Sequence, residues 1–235
     1  MIKYHPVTLH VLDDRELTEL RARTAAARFE KLNGIKPQLV TRKDIGVDVN
    51  KHWYCAWIWD VVPDDVEYVL CMDSKILPVR KLPELPELKF AAIMDRHDRV
   101  AQGMHSATLR QTGKYFQMQL FVAHRDTRPI FEQLKKLCAL PKYNLPGADQ
   151  NATGFDGRGI FTPMNELIQS NFEVHELSRD WNWGITFEKQ FYYEWPYMIN
   201  FNANDFGTWA YFRYVNHLIE QLELAGGALD GPASS

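Results

Sequence analysis

The twenty residues EYVLCMDSKILPVRKLPELP, Glu67–Pro86, carry the strongest structural signal in this chain. An apolar run ends at one carboxylate, Asp73, and this pattern predicts a buried strand that presents Asp73 at its carboxyl end. Three prolines, Pro78, Pro83 and Pro86, then prevent a helix from starting. Because open α/β sheets bind ligands at the carboxyl ends of their strands, Asp73 is predicted to lie at a ligand site on a short, rigid segment.

The surrounding sequence alternates strand and helix patterns, which favours a parallel sheet wound by right-handed crossovers. The predicted strands are Val7–Leu12, Pro37–Thr41, Val66–Met72, Phe90–Met94, Tyr115–Ala123 and Phe172–Leu177. The predicted helices are Arg15–Asn33, Trp53–Val62, Arg128–Leu137, Met164–Ser170 and Phe206–Leu224. Apolar spacing assigns inward faces to the first helix (Leu17, Leu20, Ala27, Phe29, Leu32) and to the last (Tyr211, Tyr214, Leu218, Leu222).

The composition is that of an ordinary globular domain. The chain has 235 residues, of which 46% are hydrophobic and 24% charged, and its net charge of -3 gives no electrostatic argument for a nucleic-acid partner. Three cysteines, Cys55, Cys71 and Cys138, are predicted to be reduced core residues. The sequence shows no signal-peptide pattern and no apolar run near the ~20 residues that cross a bilayer. We therefore expect a cytoplasmic protein with one domain, residues 1–225, and a disordered tail, residues 226–235.

Several blocks of the sequence, taken in order, resemble glycosyltransferases of the GT-A fold, above all the nucleotide-sugar transferases related to glycogenin. Those enzymes have a strand that ends in an Asp-x-Asp motif, followed by a "PL.EL" segment. This chain has Asp73, Ser74 and Lys75 at the motif. The other similar blocks are Lys51–Leu70, Phe90–Arg96, Tyr115–Leu134, Phe161–Gln169 and Val174–Trp183. The resemblance implies a single-domain, Rossmann-like α/β fold with a mixed, mainly parallel sheet flanked by helices.

The same resemblance implies transfer of a hexose or pentose from a nucleoside-diphosphate sugar to an acceptor hydroxyl. In glycogenin-like enzymes both Asp residues and a late His hold a divalent metal. Here Lys75 replaces the second Asp, and Asn200 or Asn202 stands where the His is expected. We predict that Lys75 neutralises the diphosphate, so that Mn²⁺ or Mg²⁺, which Asp73 would hold, is not required. The alternative is that Lys75 only pairs with Asp73 or a nearby Glu.

Other residues are predicted to bind the donor. His10 and Asp13, at the end of the first strand, are candidates for the base and ribose, and Lys51 for a phosphate or the base; Asn202 belongs to the same site. Alternatively, Asp13 only caps the following helix, and Lys51 is a solvated surface charge.

The sugar and acceptor sites are predicted from polar residues in or near the blocks that resemble the family's motifs. Gln117 and Gln119 share one strand face and are candidates for binding sugar hydroxyls, with Gln117 also among the catalytic residues. Asp156 is a candidate in the loop where the family has "DQ". The acceptor candidates are Asp95, Asn182 and Trp183. Alternatively, one of the two glutamines is only a polar residue at the edge of the sheet, and Asp95 belongs to a surface loop without a role in the reaction.

The acceptor itself stays open among a glycan, a protein, a small molecule and a hydroxymethylated phage DNA base. The resemblance implies retention of configuration; inversion would need a base, for which Asp95 or Asp156 is the candidate. A second hypothesis is a degenerate module that binds a nucleotide or glycan without turnover, since several family motifs are changed.

Overall fold

Strands and helices alternate through most of the chain. The computed structural model describes residues 2–10, 16–49, 51–94, 112–140, 161–184, 195–201 and 206–225. The strands are β1 (Tyr4–His10), β2 (Gln38–Thr41), β3 (Tyr68–Asp73), β4 (Ile76–Pro78), β5 (Phe90–Met94), β6 (Phe116–His124), β7 (Val174–Leu177), β8 (Trp183–Gly184) and β9 (Met198–Asn200). The α-helices are α1 (Glu16–Asn33), α2 (Arg42–Ile45), α3 (Ile58–Val61), α4 (Arg128–Cys138), α5 (Phe161–Asn171) and α6 (Phe206–Leu224). Short 3₁₀ segments cover Lys51–Trp57, Arg125–Thr127 and Arg179–Trp181.

The main sheet has six strands in the order β2-β1-β3-β6-β5-β7. Strand β1 runs parallel to β2 and β3, and β5 runs parallel to β7, whereas β6 is antiparallel to both β3 and β5. This arrangement confirms the predicted mixed, mainly parallel sheet with flanking helices. Every residue of β3 except Asp73 is buried, as expected for a central strand covered on both faces. The antiparallel β6 therefore brings its first residues, including Gln117, to the edge where β3 ends.

A second, smaller sheet has the order β4-β9-β8 and lies beyond the carboxyl edge of the first. Strand β4 begins directly after the turn that follows Asp73, and it pairs antiparallel with β9. Helices α1 and α6 cover this sheet, with Phe212, Val215 and Ile219 of α6 packed on β4 and β9. The small sheet and its two helices thus hold the segment after Asp73 in place.

The predicted helix faces were wrong at several positions. In α6, Tyr211, Tyr214 and Leu218 are exposed, and the buried residues are Phe212, Val215 and Ile219. In α1, Leu20 and Ala27 are exposed, and Ala22, Ala25 and Phe29 are buried. Both helices carry apolar residues on more than one side, so spacing alone could not identify the side that packs. The buried face of α1 also includes two arginines, Arg21 and Arg28, which a hydrophobic pattern does not register.

Three smaller outcomes concern local structure. The first half of the predicted helix Trp53–Val62 is a 3₁₀ segment, and only Ile58–Val61 is α-helical. Gly34 directly follows α1 with a positive φ of 71°, the left-handed conformation that is common just after a helix C-terminus. Cys55, Cys71 and Cys138 are free and buried, which confirms the prediction for the cysteines. No helix among the described residues is long and apolar enough to cross a membrane.

Candidate functional site

Asp73 is the last residue of β3 and sits at the carboxyl edge of the main sheet. Its neighbour in β1 is Leu9, whose carbonyl accepts a 3.1 Å hydrogen bond from the backbone N–H of Ser74. The Asp73 side chain accepts a 2.9 Å hydrogen bond at Oδ1 from the backbone N–H of Lys75. This side-chain-to-backbone bond is the one by which an aspartate stabilises a tight turn. The sequence Asp-Ser-Lys therefore folds into a turn that fixes the carboxylate relative to the following lysine.

Lys75 forms an ion pair with Asp73. Its Nζ lies 3.5 Å from Asp73 Oδ2, and the side chains are 11% and 22% exposed respectively. The pairing that the sequence left open as an alternative is therefore present. Because both groups are largely removed from water, their charges act through a lower effective dielectric than at an exposed surface. The carboxylate also influences two buried thiols: burial, and to a smaller extent the charge of Asp73, raises the pKa of Cys55 to about 12 and the pKa of Cys71 well above its usual range.

The small sheet brings Asn200 to the same turn. Ile76, the first residue after Lys75 in β4, pairs with Asn200 of β9, and the carbonyl of Lys75 accepts a 3.0 Å hydrogen bond from the backbone N–H of Phe201. The side-chain Nδ2 of Asn200 donates a 2.6 Å hydrogen bond to Oε1 of Gln119. Asn200 thus links β9 to β6 beside the Asp73–Lys75 turn.

A second amide pair repeats this arrangement. Asn182 Nδ2 donates a 2.8 Å hydrogen bond to Oε1 of Gln117. Both asparagines are buried, and the Oδ1 atom of each lacks a hydrogen-bond partner among the described residues. We call the four side chains Gln117, Gln119, Asn182 and Asn200 the amide cluster.

The remaining predicted residues are placed as follows. Trp183 is buried in β8, where it pairs with Ile199. His10 ends β1 and pairs with Thr41, and Lys51 opens the first 3₁₀ segment; nothing is described of these two side chains. The others, Asp13, Asp95, Asp156 and Asn202, lie outside the described residues. The structure therefore brings together Asp73, Lys75, Gln117, Gln119 and Asn182, and adds Asn200.

The described residues do not fit the divalent metal that the resemblance implies. No group of three or more His, Cys, Asp or Glu side chains in the described ranges converges as a metal site would. Asp73 is the one carboxylate at the turn, and the Lys75 ammonium occupies the place beside it. A cation next to a single carboxylate repels Mn²⁺ or Mg²⁺, which bind through several oxygen ligands.

Two features that support the site were not predicted. Asn165 of α5 is fully buried and holds β6 by its backbone, because its Oδ1 accepts from the N–H of Phe116 (2.7 Å) and its Nδ2 donates to the carbonyl of Phe116 (2.9 Å). Arg28 of α1 donates from Nε to the carbonyl of Pro78 at 2.9 Å, at the end of β4. The partners in these contacts lie about 50 residues apart along the chain, so no local sequence pattern predicts the contacts.

A groove of about 760 Å³ lies between α1 and α6. Arg21, Thr24, Phe212, Tyr214 and His217 are among the residues that line it. None of the predicted site residues that the structure describes lines this groove, and neither Asp73 nor Lys75 contributes to it.

Comparison with solved structures identifies the fold. A glycosyltransferase that takes part in glycosylating the major capsid of PBCV-1 matches with a TM-score of 0.54 at 10% identity, over 90% of this chain and 100% of that one. The glycosyltransferase GlyE of Streptococcus pneumoniae matches with a TM-score of 0.52 at 15% identity, over 100% of this chain and 66% of that one. Mouse xyloside xylosyltransferase 1 matches with a TM-score of 0.52 at 10% identity, over 86% of this chain and 99% of that one.

At identities this low, the likeness concerns the fold. No protein-family model and no curated protein matches the sequence. The mixed six-stranded sheet flanked by helices is consistent with a GT-A, Rossmann-like fold. The chain therefore has the fold of the GT-A glycosyltransferases, as the sequence resemblance implied.

Proposed function

We propose that this protein is a glycosyltransferase that moves a sugar from a nucleoside-diphosphate sugar to an acceptor hydroxyl. The observation that carries the proposal is the Asp73–Lys75 ion pair, held by a tight turn at the carboxyl end of β3. This edge is where open α/β sheets bind nucleotides. The GT-A fold supports the same assignment, since its solved representatives named above are glycosyltransferases.

The proposed role of Lys75 follows from the charge of the leaving group. As the glycosidic bond breaks, negative charge develops on the β-phosphate, and a fixed cation that faces this charge stabilises the transition state. The ammonium of Lys75 has three N–H donors, of which one is directed at Asp73, so the others are available for phosphate oxygens. Asp73 holds the ammonium in position before the donor arrives. Its low exposure strengthens the attraction between ammonium and phosphate.

The proposal extends to a donor site that works without Mn²⁺ or Mg²⁺. It is supported by the ammonium beside the single carboxylate of the turn and by the neutral amide of Asn200 near the position where the family has its His. A lysine in this role acts as a point charge that binds phosphate without a metal. The predicted base and ribose contacts of His10, Asp13 and Lys51 belong to the same proposal, as does Asn202.

The acceptor side of the proposal rests on residues at the same edge. Strand β5 runs parallel to β3, so its last residue, Met94, also lies at the carboxyl edge of the main sheet, and Asp95 is the next residue in the sequence. We propose Asp95 or Asp156 as the base if the reaction inverts configuration; a retaining reaction needs no dedicated base. Trp183 and Asn182 follow β7 at this edge and are proposed to border the acceptor.

The first experiment measures donor binding by calorimetry. Nucleoside diphosphates and their sugars are titrated into the wild type in EDTA and, separately, in Mn²⁺. We expect binding in EDTA that Lys75→Met weakens by about tenfold or more, as expected for loss of a charge-assisted contact to phosphate. Binding that requires Mn²⁺ would refute the metal-independent site, and no binding of any nucleotide would refute the proposed function.

A matched control is available on α4. Lys135 is also a largely buried lysine paired with an aspartate, since its Nζ lies 2.6 Å from Asp60 and its side chain is 15% exposed; Glu132, 2.7 Å away, is a second partner. Lys135→Met removes the same charge and a similar ion pair away from the Asp73 turn. We expect this variant to bind nucleotides like the wild type. An equal loss in both variants would mean that Lys75 acts through stability and not through contact with the phosphate.

A second candidate function is a degenerate module that binds a nucleotide or glycan without turnover. It is favoured by the low exposure of Asp73 and Lys75 and by the mutual pairing of the amides, which leaves the turn largely closed. Release of free nucleoside diphosphate from the donor that binds best distinguishes the two. Release that depends on Lys75 supports the enzyme, and tight binding with no release supports the module.

A further inference from the structure

The walls of the groove between α1 and α6 are two helices that are joined near their C-terminal ends. Arg28 and Lys31, late in α1, both donate to Glu223 of α6. About one turn before these contacts, the groove lies open between Thr24 of α1 and Glu220 of α6. Its volume of about 760 Å³ falls within the ~300–1,000 Å³ range of small-molecule sites. The groove is therefore large enough for a ligand.

The groove lies toward the edge of the main sheet that carries Asp73. Helix α1 connects the parallel strands β1 and β2, so it begins near the carboxyl end of β1 and returns toward the opposite edge. Leu20, Arg21 and Thr24, which line the groove, belong to the first half of α1. The groove is therefore nearer to the proposed donor site than the joined helix ends are.

The buried residue Phe212 connects the groove to the small sheet. It lines the groove, is 2% exposed and packs on β4 and β9. Its ring lies against Phe201 with centroids 5.1 Å apart, and the guanidinium carbon of Arg21 lies 5.9 Å from its centre. Strand β4 begins at the residue after Lys75. The small sheet thus supports both the groove and the proposed phosphate site.

Tyr214 gives the groove an exposed aromatic ring. It is 61% exposed, and Leu20, which lines the groove from α1, is 49% exposed. Tyr211 stacks on Tyr214 with ring centroids 6.3 Å apart and an interplanar angle of 14°, and Tyr211 in turn contacts Phe201. The ring of Tyr214 is therefore held by its neighbours while it presents an apolar surface to a ligand.

The polar groups that line the groove include hydrogen-bond donors, hydrogen-bond acceptors and charges of both signs. Asn216 donates from Nδ2 to Oε1 of Glu220 at 2.9 Å, and this bond holds the carboxylate on the α6 wall. Arg213 brings a guanidinium to the same wall. Thr24 donates its hydroxyl to a backbone carbonyl of α1 at 2.8 Å, and its oxygen still accepts. These groups suit a neutral ligand that both donates and accepts hydrogen bonds.

We propose that this groove binds the acceptor, and that the acceptor is an uncharged glycan chain; this inference rests on the proposed glycosyltransferase function. A sugar unit combines an apolar ring face with hydroxyl groups, each of which donates and accepts hydrogen bonds. The ring face packs on Tyr214, and the hydroxyl groups bond to Glu220 and Arg213. The lining of α6 extends from Ala210 to Glu220, about 15 Å along the helix, so the groove holds a stretch of chain.

The groove holds the glycan while the reaction takes place at the donor site. A hydroxyl oxygen of the glycan forms a bond to the anomeric carbon of the donor sugar, and the bond from that carbon to the diphosphate breaks. The hydroxyl proton passes to a base or, through solvent, to the released diphosphate. Tyr214 touches none of the reacting atoms, so its contribution is to the affinity for the chain.

The test measures glycan binding by calorimetry, first without any nucleotide. The probes are five neutral tetrasaccharides: maltotetraose, cellotetraose, xylotetraose, mannotetraose and chitotetraose. We expect at least one of them to bind the wild type, and to bind Tyr214→Ala about tenfold or more weakly because an aromatic anchor is lost. Tyr214→Phe keeps the ring and is expected to bind within about threefold of the wild type. Because Tyr214 is exposed, both variants are expected to stay folded.

Leu218→Ala is the matched control. Leu218 is also an exposed apolar residue of α6, at 36%, and it lies outside the groove, so its removal is expected to leave glycan binding unchanged. A second measurement connects the groove to the reaction. The tetrasaccharide that binds should raise release of nucleoside diphosphate from the donor, and Tyr214→Ala should raise the tetrasaccharide concentration for half-maximal release by about tenfold.

The outcomes separate the two proposals. A wild type that binds nucleotide but none of the tetrasaccharides overturns the glycan site and leaves the proposed function standing. Glycan binding that Tyr214→Ala leaves intact, or that Leu218→Ala weakens equally, overturns it as well. Competition between nucleoside diphosphate and tetrasaccharide, with loss of both in Tyr214→Ala, would make the groove a nucleotide site. Binding of glycan that depends on Tyr214, in a protein that binds no nucleotide, keeps the glycan site and overturns the proposed function.

Discussion

Removing Arg28 is expected to destabilise the region that supports Lys75. Arg28 lies on α1, and its buried guanidinium makes two contacts: Nε donates to the Pro78 carbonyl at the end of β4, and Nη2 lies 3.0 Å from Glu223 of α6. Glu223 also accepts from Lys31 at 2.6 Å. One arginine therefore connects α1, α6 and the strand that follows Lys75.

The size of the effect follows from burial. The Arg28 side chain is 6% exposed and that of Glu223 is 19% exposed, and breaking a buried pair by removing one partner costs about 3–5 kcal/mol. Arg28→Met leaves Glu223 paired with Lys31, which reduces this cost, but leaves the Pro78 carbonyl without its donor, which adds roughly 1–3 kcal/mol. We expect a loss of about 3 kcal/mol, which lowers the Tm by about 6–12 °C for a chain of this size.

The assay is urea unfolding of Arg28→Met followed by fluorescence, with Lys31→Met as the control. Lys31 pairs with the same carboxylate, but its side chain is 61% exposed, so its removal is expected to cost about 0–1 kcal/mol. If Arg28→Met unfolds within about 0.5 kcal/mol of the wild type, or if both variants lose equally, the reasoning from burial is refuted.

The same contacts predict a pH dependence. Burial alone would raise the pKa of Glu223, but hydrogen bonds from Lys31 and Arg28 outweigh it and hold the pKa below its ordinary value of 4.5. A carboxyl with a lowered pKa in the folded protein contributes stability above its unfolded pKa and loses it as the pH falls through the folded pKa. The stability difference between wild type and Glu223→Gln should therefore be constant near neutral pH and shrink below about pH 4.5. A difference unchanged in acid would contradict this.

Three further predictions concern β6, the motif and the thiols. Asn165→Leu leaves the buried N–H and carbonyl of Phe116 without partners and is expected to cost about 3 kcal/mol in urea unfolding; a cost under about 1 kcal/mol would show that water replaces the amide. Lys75→Asp restores the second carboxylate of the motif, so Mn²⁺ should raise the Tm of this variant and not that of the wild type; no difference between them would count against the motif argument. Burial raises the pKa of Cys55 to about 12 and of Cys138 to about 11, so a thiol reagent at pH 8 should modify the native protein slowly and all three cysteines after unfolding; fast modification of the native protein would contradict their burial.

The position of Asp73 was predictable because its signal is local. An apolar run that ends in a polar turn defines a buried strand over a few residues, and the structure ends β3 at Asp73. Strand β5 matches its predicted bounds, Phe90–Met94, for the same reason. The Asp-Ser-Lys turn also depends on neighbouring residues alone, since Asp73 accepts from the backbone N–H two positions later.

The side of a helix that packs was not predictable in the same way. In α6 aromatic and aliphatic residues occupy seven of the ten positions from Trp209 to Leu218, so several faces are apolar. The face of α6 that packs on the small sheet contains Phe212, Val215 and Ile219, whereas Tyr214 is exposed. That sheet forms from β4, β8 and β9, which are distant in sequence and two or three residues long, too short for a periodic pattern.

In the amide cluster, too, one part was predictable from a local pattern and the other part depends on distant segments. Alternation along β6 predicted that Gln117 and Gln119 share a face, and the strand in the structure keeps that alternation. Their partners Asn182 and Asn200 lie 65 and 81 residues further along the chain. The sequence by itself determined the six strands of the main sheet, the carboxylate at the end of β3 and the lysine beside it, because these depend on short-range burial and turn chemistry. Only the tertiary structure decided which amides meet, which asparagine oxygens stay unpaired and which arginine is buried, because hydrogen bonds between distant segments depend on how the two sheets and their helices pack.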